Sequence, residues 1–345
     1  MKVGKLSRRE MLLVSGLLPL VEIGESLDVA AQNKPEKHKT MNENKNIYDC
    51  IIVGGGPTGL SAALTLGRVR RRVLICDKGN PRNAPAREAH TFFTRDGTNP
   101  LELLKIGREQ LKLYKTIEFQ PIGVKEIKKT GAQFEVIFDD GATKKSRKVL
   151  LAFGVKDEFP NIENFAEFWG KSVFHCPFCH GYEVRDQPLA VVGNGEAGVG
   201  MAALLKSWSA DLVLCTNGKT ELSADQRKLL EKHNVAVREE KIIRFEGANG
   251  HLETIVFETG EKLARRGMLI RLKQHLRSDL AEKLGCEISD SGFIKVADAN
   301  ETSVKGVYAA GDVTSPMQAI SVAVAQGSLA AGPGVNHALS QEDFV

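Results

Sequence analysis

Short apolar runs alternate with helical segments of small residues along most of the chain. Residues 47–53 read Ile-Tyr-Asp-Cys-Ile-Ile-Val, which predicts a buried parallel strand. Residues 60–66 have the composition of a helix, and residues 72–76 form a second apolar run that ends before Asp77. A strand, a helix and a strand within about 30 residues indicate a βαβ unit.

The same pattern recurs later in the chain. Residues 189–192 predict another buried strand, residues 199–207 a helix and residues 212–215 a further strand. Near the C-terminus, residues 304–312 predict a strand that ends in Gly-Asp, and residues 318–331 predict a helix of small residues. The pattern as a whole predicts an α/β fold with two βαβ units.

A glycine-rich loop joins the strand and the helix of the first unit. Gly54 allows a tight turn, Gly56 lets backbone N–H groups approach a pyrophosphate, and Gly59 lets the helix pack on the sheet. Asp77 follows Gly59 by 18 residues, where a carboxylate can accept hydrogen bonds from ribose hydroxyls. This order favours a dinucleotide site over a glycine-rich turn in another α/β fold. The loop residues assigned to the nucleotide are Gly54, Gly56, Pro57, Thr58 and Gly59.

Residues 175–180 read His-Cys-Pro-Phe-Cys-His and carry the most specific chemistry. Two cysteines separated by two residues can close a disulfide, and the flanking histidines can exchange protons near neutral pH. A zinc site is the alternative, but six contiguous residues wrap a tetrahedral ion poorly and no second Cys-x-x-Cys completes it. Incidental cysteines are a further alternative. The motif favours a redox pair, Cys176 and Cys179, and no metal site.

The second βαβ unit repeats the glycine spacing, so we expect a flavin nucleotide in one unit and a nicotinamide nucleotide in the other. Its strand ends in Thr-Asn-Gly at residues 216–218, with neither an acid for a free ribose hydroxyl nor an arginine pair for a 2′-phosphate. NADPH and NADH both remain open. The residues assigned to this nucleotide are Gly193, Gly195, Glu196, Ala197 and Gly198.

The C-terminal segment offers two further cofactor contacts. Asp312, on a tight turn after Gly311, can accept a hydrogen bond from a cofactor hydroxyl. The helix start near Gln318 and Ala319 could point its positive end at a reduced, anionic flavin ring. An ordinary strand–turn–helix is the alternative.

Composition and charge exclude several classes of protein. The 345 residues predict about two domains. The 33 Gly and 12 Pro follow no period, which excludes a collagen-like chain. The net charge is +4, and residues 1–46 hold eight basic and six acidic residues, so the remainder is nearly neutral. A partner that is a nucleic acid is therefore not expected.

The N-terminus resembles a twin-arginine export signal. Arg8 and Arg9 precede residues 11–21, an apolar stretch that is too short to form a stable membrane span. This pattern predicts an exported or periplasmic protein. A translation start at Met41 would instead give a cytoplasmic protein.

Together the motifs resemble the low-molecular-weight thioredoxin reductases, a class of pyridine nucleotide-disulfide oxidoreductases. The match covers about residues 46–340 and rests on both glycine loops, Asp77, the cysteine pair and the Ala-Gly-Asp at residues 310–312. The resemblance implies a homodimer. Each chain would have a three-layer fold with two Rossmann-like domains, in which an inserted NAD(P) domain interrupts the FAD domain. The resemblance implies an FAD-binding domain at 47–156 and 276–340 and an NAD(P)-binding-like domain at 157–275. The N-terminal pattern adds a predicted signal at 1–31 and a linker at 32–46.

Two positions depart from the family pattern. His180 replaces the usual aspartate, and residues 216–218 replace the usual basic motif for the 2′-phosphate of NADPH. Residues 176–183, Cys-x-x-Cys-His-Gly-Tyr-Glu, look more like a branch that includes fungal dithiol oxidases of gliotoxin-type metabolites. Gly154, after Ala-Phe, stands where the family has Ala-Thr-Gly at the flavin.

The resemblance implies an FAD-dependent thiol–disulfide oxidoreductase. Cys179 would face the flavin, Cys176 would attack the substrate, and His180 would act as acid and base. NAD(P)H would reduce FAD, and the cysteine pair would then reduce a thioredoxin-like protein or a small-molecule disulfide. The first alternative is an oxygen-dependent dithiol oxidase that uses little NAD(P)H, and the second is a non-catalytic flavin redox sensor.

Overall fold

The structure is a computed structural model that describes residues 46–345. The expected export signal, the expected linker up to residue 45 and Met41 lie outside the described residues. Within residues 46–345, no helix combines the length and apolar character needed to cross a membrane.

The described chain alternates strands and helices in the expected order. The strands are β1 (Ile47–Val53), β2 (Val73–Cys76), β3 (Ile117–Gln120), β4 (Val124–Thr130), β5 (Gln133–Phe138), β6 (Thr143–Leu151), β7 (Val155–Asp157), β8 (Val173–Phe174), β9 (Leu189–Val192), β10 (Leu212–Cys215), β11 (Val235–Arg238), β12 (Ile242–Ala248), β13 (His251–Phe257), β14 (Lys262–Ala264), β15 (Gly267–Ile270), β16 (Gln274–Leu276) and β17 (Val307–Ala309). The helices are α1 (Pro57–Arg68), α2 (Pro100–Leu111), α3 (Phe165–Phe168), α4 (Pro177–His180), α5 (Gly195–Leu205), α6 (Ala224–Lys232), α7 (Leu280–Lys283), α8 (Ile320–Leu329) and α9 (His337–Phe344). Short 3₁₀ turns cover Tyr182–Val184, Asp298–Asn300 and Gly311–Val313, and a π-helical segment covers Ala330–Asn336.

The first sheet contains seven strands in the order β3-β2-β1-β6-β5-β4, with β17 paired to β6. Strands β1, β2, β3 and β17 run parallel in this sheet, whereas β4 and β5 form an antiparallel extension. One face packs apolar side chains of β1 and β2 against α1, α2 and the C-terminal helices, and the other packs against β4, β5 and α7. These covered faces explain why β1 and β2 are almost entirely apolar.

Two glycines make the close packing of the first loop feasible. An added Cβ at Gly59 would lie 1.9 Å from the carbonyl oxygen of Gly54, so only glycine lets α1 approach β1 this closely. Gly54 has φ of +113°, and its added Cβ would lie 2.3 Å from the carbonyl oxygen of Ala152. The conformation of the loop therefore requires glycine, which has no side chain, at both positions.

The second sheet contains five strands in the order β11-β10-β9-β15-β8, and all its pairings are parallel. A separate antiparallel sheet, β12-β13-β14, packs Phe245 and Phe257 against one face of the second sheet. Helix α5 packs on the other face. The predicted α/β fold with two Rossmann-like domains is confirmed.

A two-stranded antiparallel ladder of β7 and β16 lies where the chain passes from the first sheet to the second and back. Val155 pairs with Leu276, and Asp157 pairs with Gln274. The outward and the returning chain segments therefore lie side by side.

Some predicted boundaries need correction. Helix α5 begins at Gly195, inside the glycine loop, rather than at residue 199, because the Asn194 side chain caps its N-terminus. Strand β17 is limited to Val307–Ala309, since the chain then turns into a 3₁₀ helix at Gly311. The predicted strands at residues 47–53, 189–192 and 212–215 have the observed bounds.

Candidate active site

One cavity, here called the main cavity, extends from the first glycine loop to the cysteine pair. Its wall includes Arg82, His90, His175 and Arg277 as well as predicted site residues. The predicted residues that line it are Gly54, Gly56, Pro57, Thr58, Asp77, Gly154, Asp312, Gln318, Ala319, Cys179 and His180. Gly59 and Gly311, also predicted to contact FAD, are buried beside the cavity wall. An added Cβ at Gly311 would lie 2.2 Å from Oγ1 of Thr58, so this glycine supports the wall from behind.

The glycine-loop end of the main cavity fits a dinucleotide. Gly56 is the N-cap of α1 and no side chain caps that helix, so its first N–H groups are available to an anion. An added Cβ at Gly56 would meet no protein atom within 4 Å, which leaves open space before the helix. Asp77 follows β2 and its Oδ2 lies 3.8 Å from Nη2 of Arg108. Free helical donors beside a carboxylate suit the pyrophosphate and ribose of FAD.

A buried polar network forms another part of the wall. Arg82 donates two hydrogen bonds of 2.7 Å to the carboxylate of Asp157 and one of 2.7 Å to Oε1 of Gln318. Gln274 donates to Asp157 at 3.1 Å and exchanges hydrogen bonds with Gln318. Oδ2 of Asp312 lies 3.9 Å from Nη1 of Arg82. The network fixes Gln318 at the start of α8, where sequence reasoning expected the flavin ring.

The pKa values of Asp312 and Asp157, the two carboxyl groups near Arg82, are shifted in opposite directions. Burial raises the pKa of Asp312, and the charge of Arg82 offsets this only in part. Burial also disfavours ionisation of Asp157, but the hydrogen bonds and the charge of Arg82 outweigh it and hold the pKa of Asp157 below its ordinary value. Asp157 is therefore a stable anion that positions Arg82.

This shift predicts an acid-dependent stability contribution. A carboxyl whose pKa is lowered by folding stabilises the protein above its unfolded pKa and loses that contribution as the pH falls through the folded value. We expect Asp157→Asn to lower the melting temperature clearly at pH 6. The difference in melting temperature from wild type should shrink as the pH falls below 3.8, the ordinary pKa of an aspartate. Thermal unfolding of both proteins across this range tests it. A difference that does not change with pH would contradict the ion-pair argument.

The structure closes a disulfide between Cys176 and Cys179, whose Cα atoms are 5.3 Å apart. Cys176 is the N-cap of the four-residue helix α4, and Cys179 lies within that helix. Cys179 lines the main cavity, whereas Cys176 is not among its lining residues in the described chain. The two sulfurs therefore differ in their access to the cavity. Within residues 46–345, no group of His, Cys, Asp and Glu is arranged to hold a metal ion.

Both histidines beside the disulfide are held neutral. Burial, with help from the charge of Arg82, lowers the pKa of His175 to about 4. Burial also lowers the pKa of His180, whose ring stacks on Phe174 with centroids 5.8 Å apart. Among the described residues, neither ring nitrogen of His180 has a hydrogen-bond partner. A backbone contact with Gly170 opposes the effect of burial on the His180 pKa only in part. A neutral imidazole beside Cys179 can accept a proton from a thiol.

The second glycine loop is engaged by its own neighbours. The Asn194 side chain accepts hydrogen bonds from N of Gly195 at 2.9 Å and N of Glu221 at 2.8 Å, and it donates to O of Lys219 at 2.9 Å. One N–H at the start of α5 is therefore already used. Of the predicted nicotinamide-nucleotide residues, Gly193 lines the adjacent cavity, whereas Gly195, Glu196, Ala197 and Gly198 are not among its lining residues in the described part of the chain.

The ends of β10 and β11 are also engaged internally. Thr216 donates to O of Gly218 at 2.6 Å, and Oδ1 of Asn217 accepts from N of Ile242 at 2.8 Å. Arg238, the last residue of β11, is bonded to Glu240 and Glu261. The groups expected near an adenine ribose are therefore occupied, and the nearby arginine is neutralised.

Sequence reasoning did not identify Arg82, Asp157, Gln274 or His90 as site residues. All four lie outside the recognised motifs, and the fold alone brings them to the main cavity or its wall. For Arg82, the one local signal in the sequence is its place in the Pro-Arg-Asn segment at residues 81–83, between two predicted elements.

Comparisons with known proteins identify the family of this chain. The family model for pyridine nucleotide-disulphide oxidoreductases matches residues 48–327. The protein named thioredoxin reductase sirT from Leptosphaeria maculans is 35% identical over 308 residues, which cover 84% of this chain and 94% of that protein. The protein named thioredoxin reductase tcpT from Claviceps purpurea is 33% identical, over 83% of this chain and 92% of its own.

Solved structures give the same result. The crystal structure of HlmI has a TM-score of 0.81 and 37% identity, over 87% of this chain and 95% of that one. An oxidoreductase from Agrobacterium tumefaciens has a TM-score of 0.79 and 34% identity, over 85% of this chain and 99% of that one.

Proposed function

Because the chain belongs to the pyridine nucleotide-disulphide oxidoreductases, with thioredoxin reductase-like relatives, we propose that it passes electrons between NAD(P)H, FAD, the Cys176–Cys179 pair and a disulfide substrate. The family consists of enzymes that use FAD and NAD(P)H. The observation that carries the proposal is the single cavity that contains both the open glycine loop and Cys179.

Each cysteine has its own role in this proposal. Bound FAD supplies two-electron transfer at its flavin ring. Cys179, in the cavity wall, exchanges electrons with that ring. Cys176, outside the cavity lining and only half-buried, attacks or is attacked by the substrate sulfur. His180 removes the proton from the attacking thiol and returns it to the departing one.

The lining of the main cavity supports the FAD assignments, whereas the nicotinamide assignments rest on the glycine spacing and the family resemblance. We propose that FAD is held by Gly54, Gly56, Pro57, Thr58, Gly59, Asp77, Gly154, Gly311, Asp312, Gln318 and Ala319. We propose that the nicotinamide nucleotide is faced by Gly193, Gly195, Glu196, Ala197 and Gly198. We further propose the division into an FAD domain at 47–156 and 276–340 and an inserted domain at 157–275. A homodimer, and a thioredoxin-like protein or small-molecule disulfide as partner, are proposed from the family resemblance.

A dithiol oxidase is the second candidate, and the second glycine loop favours it. Asn194 occupies one helical donor, Thr216 and Asn217 bond internally, and acids neutralise Arg238. We expect these contacts to weaken the binding of NADPH to this unit. In this case a substrate dithiol would reduce the cysteine pair, and oxygen would take the electrons.

An anaerobic titration separates the two candidates. The purified yellow protein is titrated with NADPH, with NADH and with dithiothreitol while the absorbance of oxidised flavin is followed. Rapid bleaching by one nucleotide supports the reductase and identifies the donor. Bleaching by dithiothreitol alone supports the oxidase. A colourless protein that cannot be reconstituted with FAD would overturn both.

A further inference from the structure

His90 lies in the loop between β2 and α2 and lines the main cavity with Cys179 and His180. Backbone hydrogen bonds hold the loop, since N of Ala89 donates to O of Thr98 at 2.9 Å. The His90 side chain is 18% exposed, and within residues 46–345 its buried Nε2 makes no hydrogen bond. A partly buried imidazole whose Nε2 makes no hydrogen bond, in the same cavity wall as a reactive disulfide, requires an explanation.

Three carboxylates surround this imidazole. Nε2 lies 3.5 Å from Oε2 of Glu88 and 3.5 Å from Oε1 of Glu183, and Nδ1 lies 3.4 Å from Oδ2 of Asp96. These three side chains, here called the outer carboxylates, are 57%, 42% and 68% exposed, respectively. His90 therefore stands between the buried cavity and groups in contact with water.

The outer carboxylates come from two separate parts of the chain. Glu88 and Asp96 belong to the same loop as His90, whereas Glu183 ends the Cys-x-x-Cys-His-Gly-Tyr-Glu segment that carries the disulfide. The 3.5 Å approach of Glu183 thus connects the redox segment directly to His90. This contact gives a physical role to the last residue of that pattern.

The redox step creates a proton that must cross the cavity wall. Closing the Cys176–Cys179 disulfide removes two electrons and two protons from the two thiols. A two-electron acceptor that ends as a reduced, anionic flavin keeps one proton, so one proton leaves in this half of the reaction. In the reductive direction, one proton enters instead. Exchange between the pair and a substrate dithiol needs no net proton, because two S–H bonds form as two break.

His180 can accept this proton but has no bonded partner that would carry it further. Among the described residues, both ring nitrogens of His180 lack a hydrogen bond. Burial is the main reason why the pKa of His180 is lowered, and His90 lies close enough to contribute a smaller effect in the same direction. Both rings line the same cavity, where water can bridge them.

We propose that His90 is a proton-relay residue, which takes the proton from His180 through cavity water and passes it to the outer carboxylates. An N–H bond forms at Nε2 of His90 as an N–H bond of His180 breaks. That Nε2–H bond then breaks as an O–H bond forms on Glu183 or Glu88, which lie 3.5 Å from Nε2, and the resulting carboxylic acid releases the proton to solvent. In the reductive direction the transfers run in reverse. The inference rests on the proposed function, because it requires that the disulfide exchanges electrons with FAD.

The test follows half of the reaction in the FAD-loaded protein. Wild type, His90→Gln and His90→Ala are mixed anaerobically with dithiothreitol in weak buffer, and flavin bleaching and a pH indicator are recorded together. We expect bleaching and proton release to be at least tenfold slower in both variants. Added imidazole should restore the rate in His90→Ala. His233→Gln, at the exposed end of α6, is the matched control and should react as wild type does.

Several results would overturn the relay. Bleaching of His90→Gln at the wild-type rate is one, and a slow His90→Ala that imidazole does not accelerate at unchanged FAD content is another. If the His90 variants lose FAD, the double variant Glu88→Gln, Glu183→Gln gives the decision, because its side chains are exposed. A wild-type rate in that variant also overturns the relay. Failure of the proposed function would instead appear in the wild-type protein, as an absence of bleaching by dithiothreitol and by both nucleotides.

Discussion

Cys179→Ser is expected to retain FAD and to lose turnover by at least about 10³-fold. Serine has nearly the same size as cysteine, but its oxygen cannot form the sulfur–sulfur bond that stores the electron pair. Cys179 is also the cysteine that lines the main cavity, so in the proposed mechanism its loss would leave the flavin without a neighbouring sulfur. FAD should remain bound, because the glycine loop and Asp312 are untouched. The measurement is turnover with NAD(P)H or a dithiol, together with the flavin content.

Two further variants sharpen this test. Cys176→Ser should lose turnover to the same degree, yet its Cys179 thiolate can still produce long-wavelength absorbance beside the flavin, which Cys179→Ser cannot. Cys286→Ser is the control, because Cys286 is buried, forms no disulfide and donates a hydrogen bond of 3.5 Å to Oγ1 of Thr302. It should turn over normally. Turnover that survives in Cys176→Ser or Cys179→Ser would refute the cysteine mechanism.

Gly56→Val is expected to give a folded protein without FAD. Gly56 has φ of −75°, which valine can adopt, and an added Cβ meets no protein atom within 4 Å. The valine would therefore occupy only the space before α1 where we expect the pyrophosphate. Loss of two charge-assisted hydrogen bonds, each about 1.5–3 kcal/mol, corresponds to about a hundredfold or greater loss of affinity. Flavin absorbance and thermal unfolding measure occupancy and folding separately.

Two other glycines provide the controls for Gly56→Val. Gly200→Ala lies on the exposed side of α5, where its Cβ would also meet no atom within 4 Å, and should keep FAD. Gly59→Val should fail to fold, because its Cβ would lie 1.9 Å from the Gly54 carbonyl. A Gly56→Val protein that binds FAD as tightly as wild type would place the pyrophosphate elsewhere.

The parts of the fold that could be predicted are those built from local signals. Strands β1, β9 and β10 are short apolar runs, each beside glycine or polar residues, and a parallel strand covered on both faces has this composition. The redox pair was recognisable because both cysteines lie in one short segment. The antiparallel sheet β12-β13-β14 was not foreseen, since its partly exposed strands lack such runs.

The parts that could not be predicted depend on contacts between distant residues. Arg82 and Asp157 are 75 positions apart, and no local pattern in either segment indicates their pairing. His90 belongs to a loop without helical or strand periodicity, and Glu183 reaches it only in the folded chain. The Asn194 cap is local, but its bond to Glu221 crosses 27 positions. Motifs and periodicity describe neighbouring positions in the sequence, so they do not predict which distant side chains the fold brings together.

The ladder of β7 and β16 has an evolutionary consequence. Because Asp157 pairs directly with Gln274, the intervening segment leaves and re-enters the first sheet at adjacent points. A tight hairpin turn could join these two residues and restore an uninterrupted chain, with Asp157 and Gln274 still in place to hold Arg82. With the division proposed above, a gene could gain, lose or exchange the segment 157–275 through a single insertion event, while the remaining chain kept the first sheet.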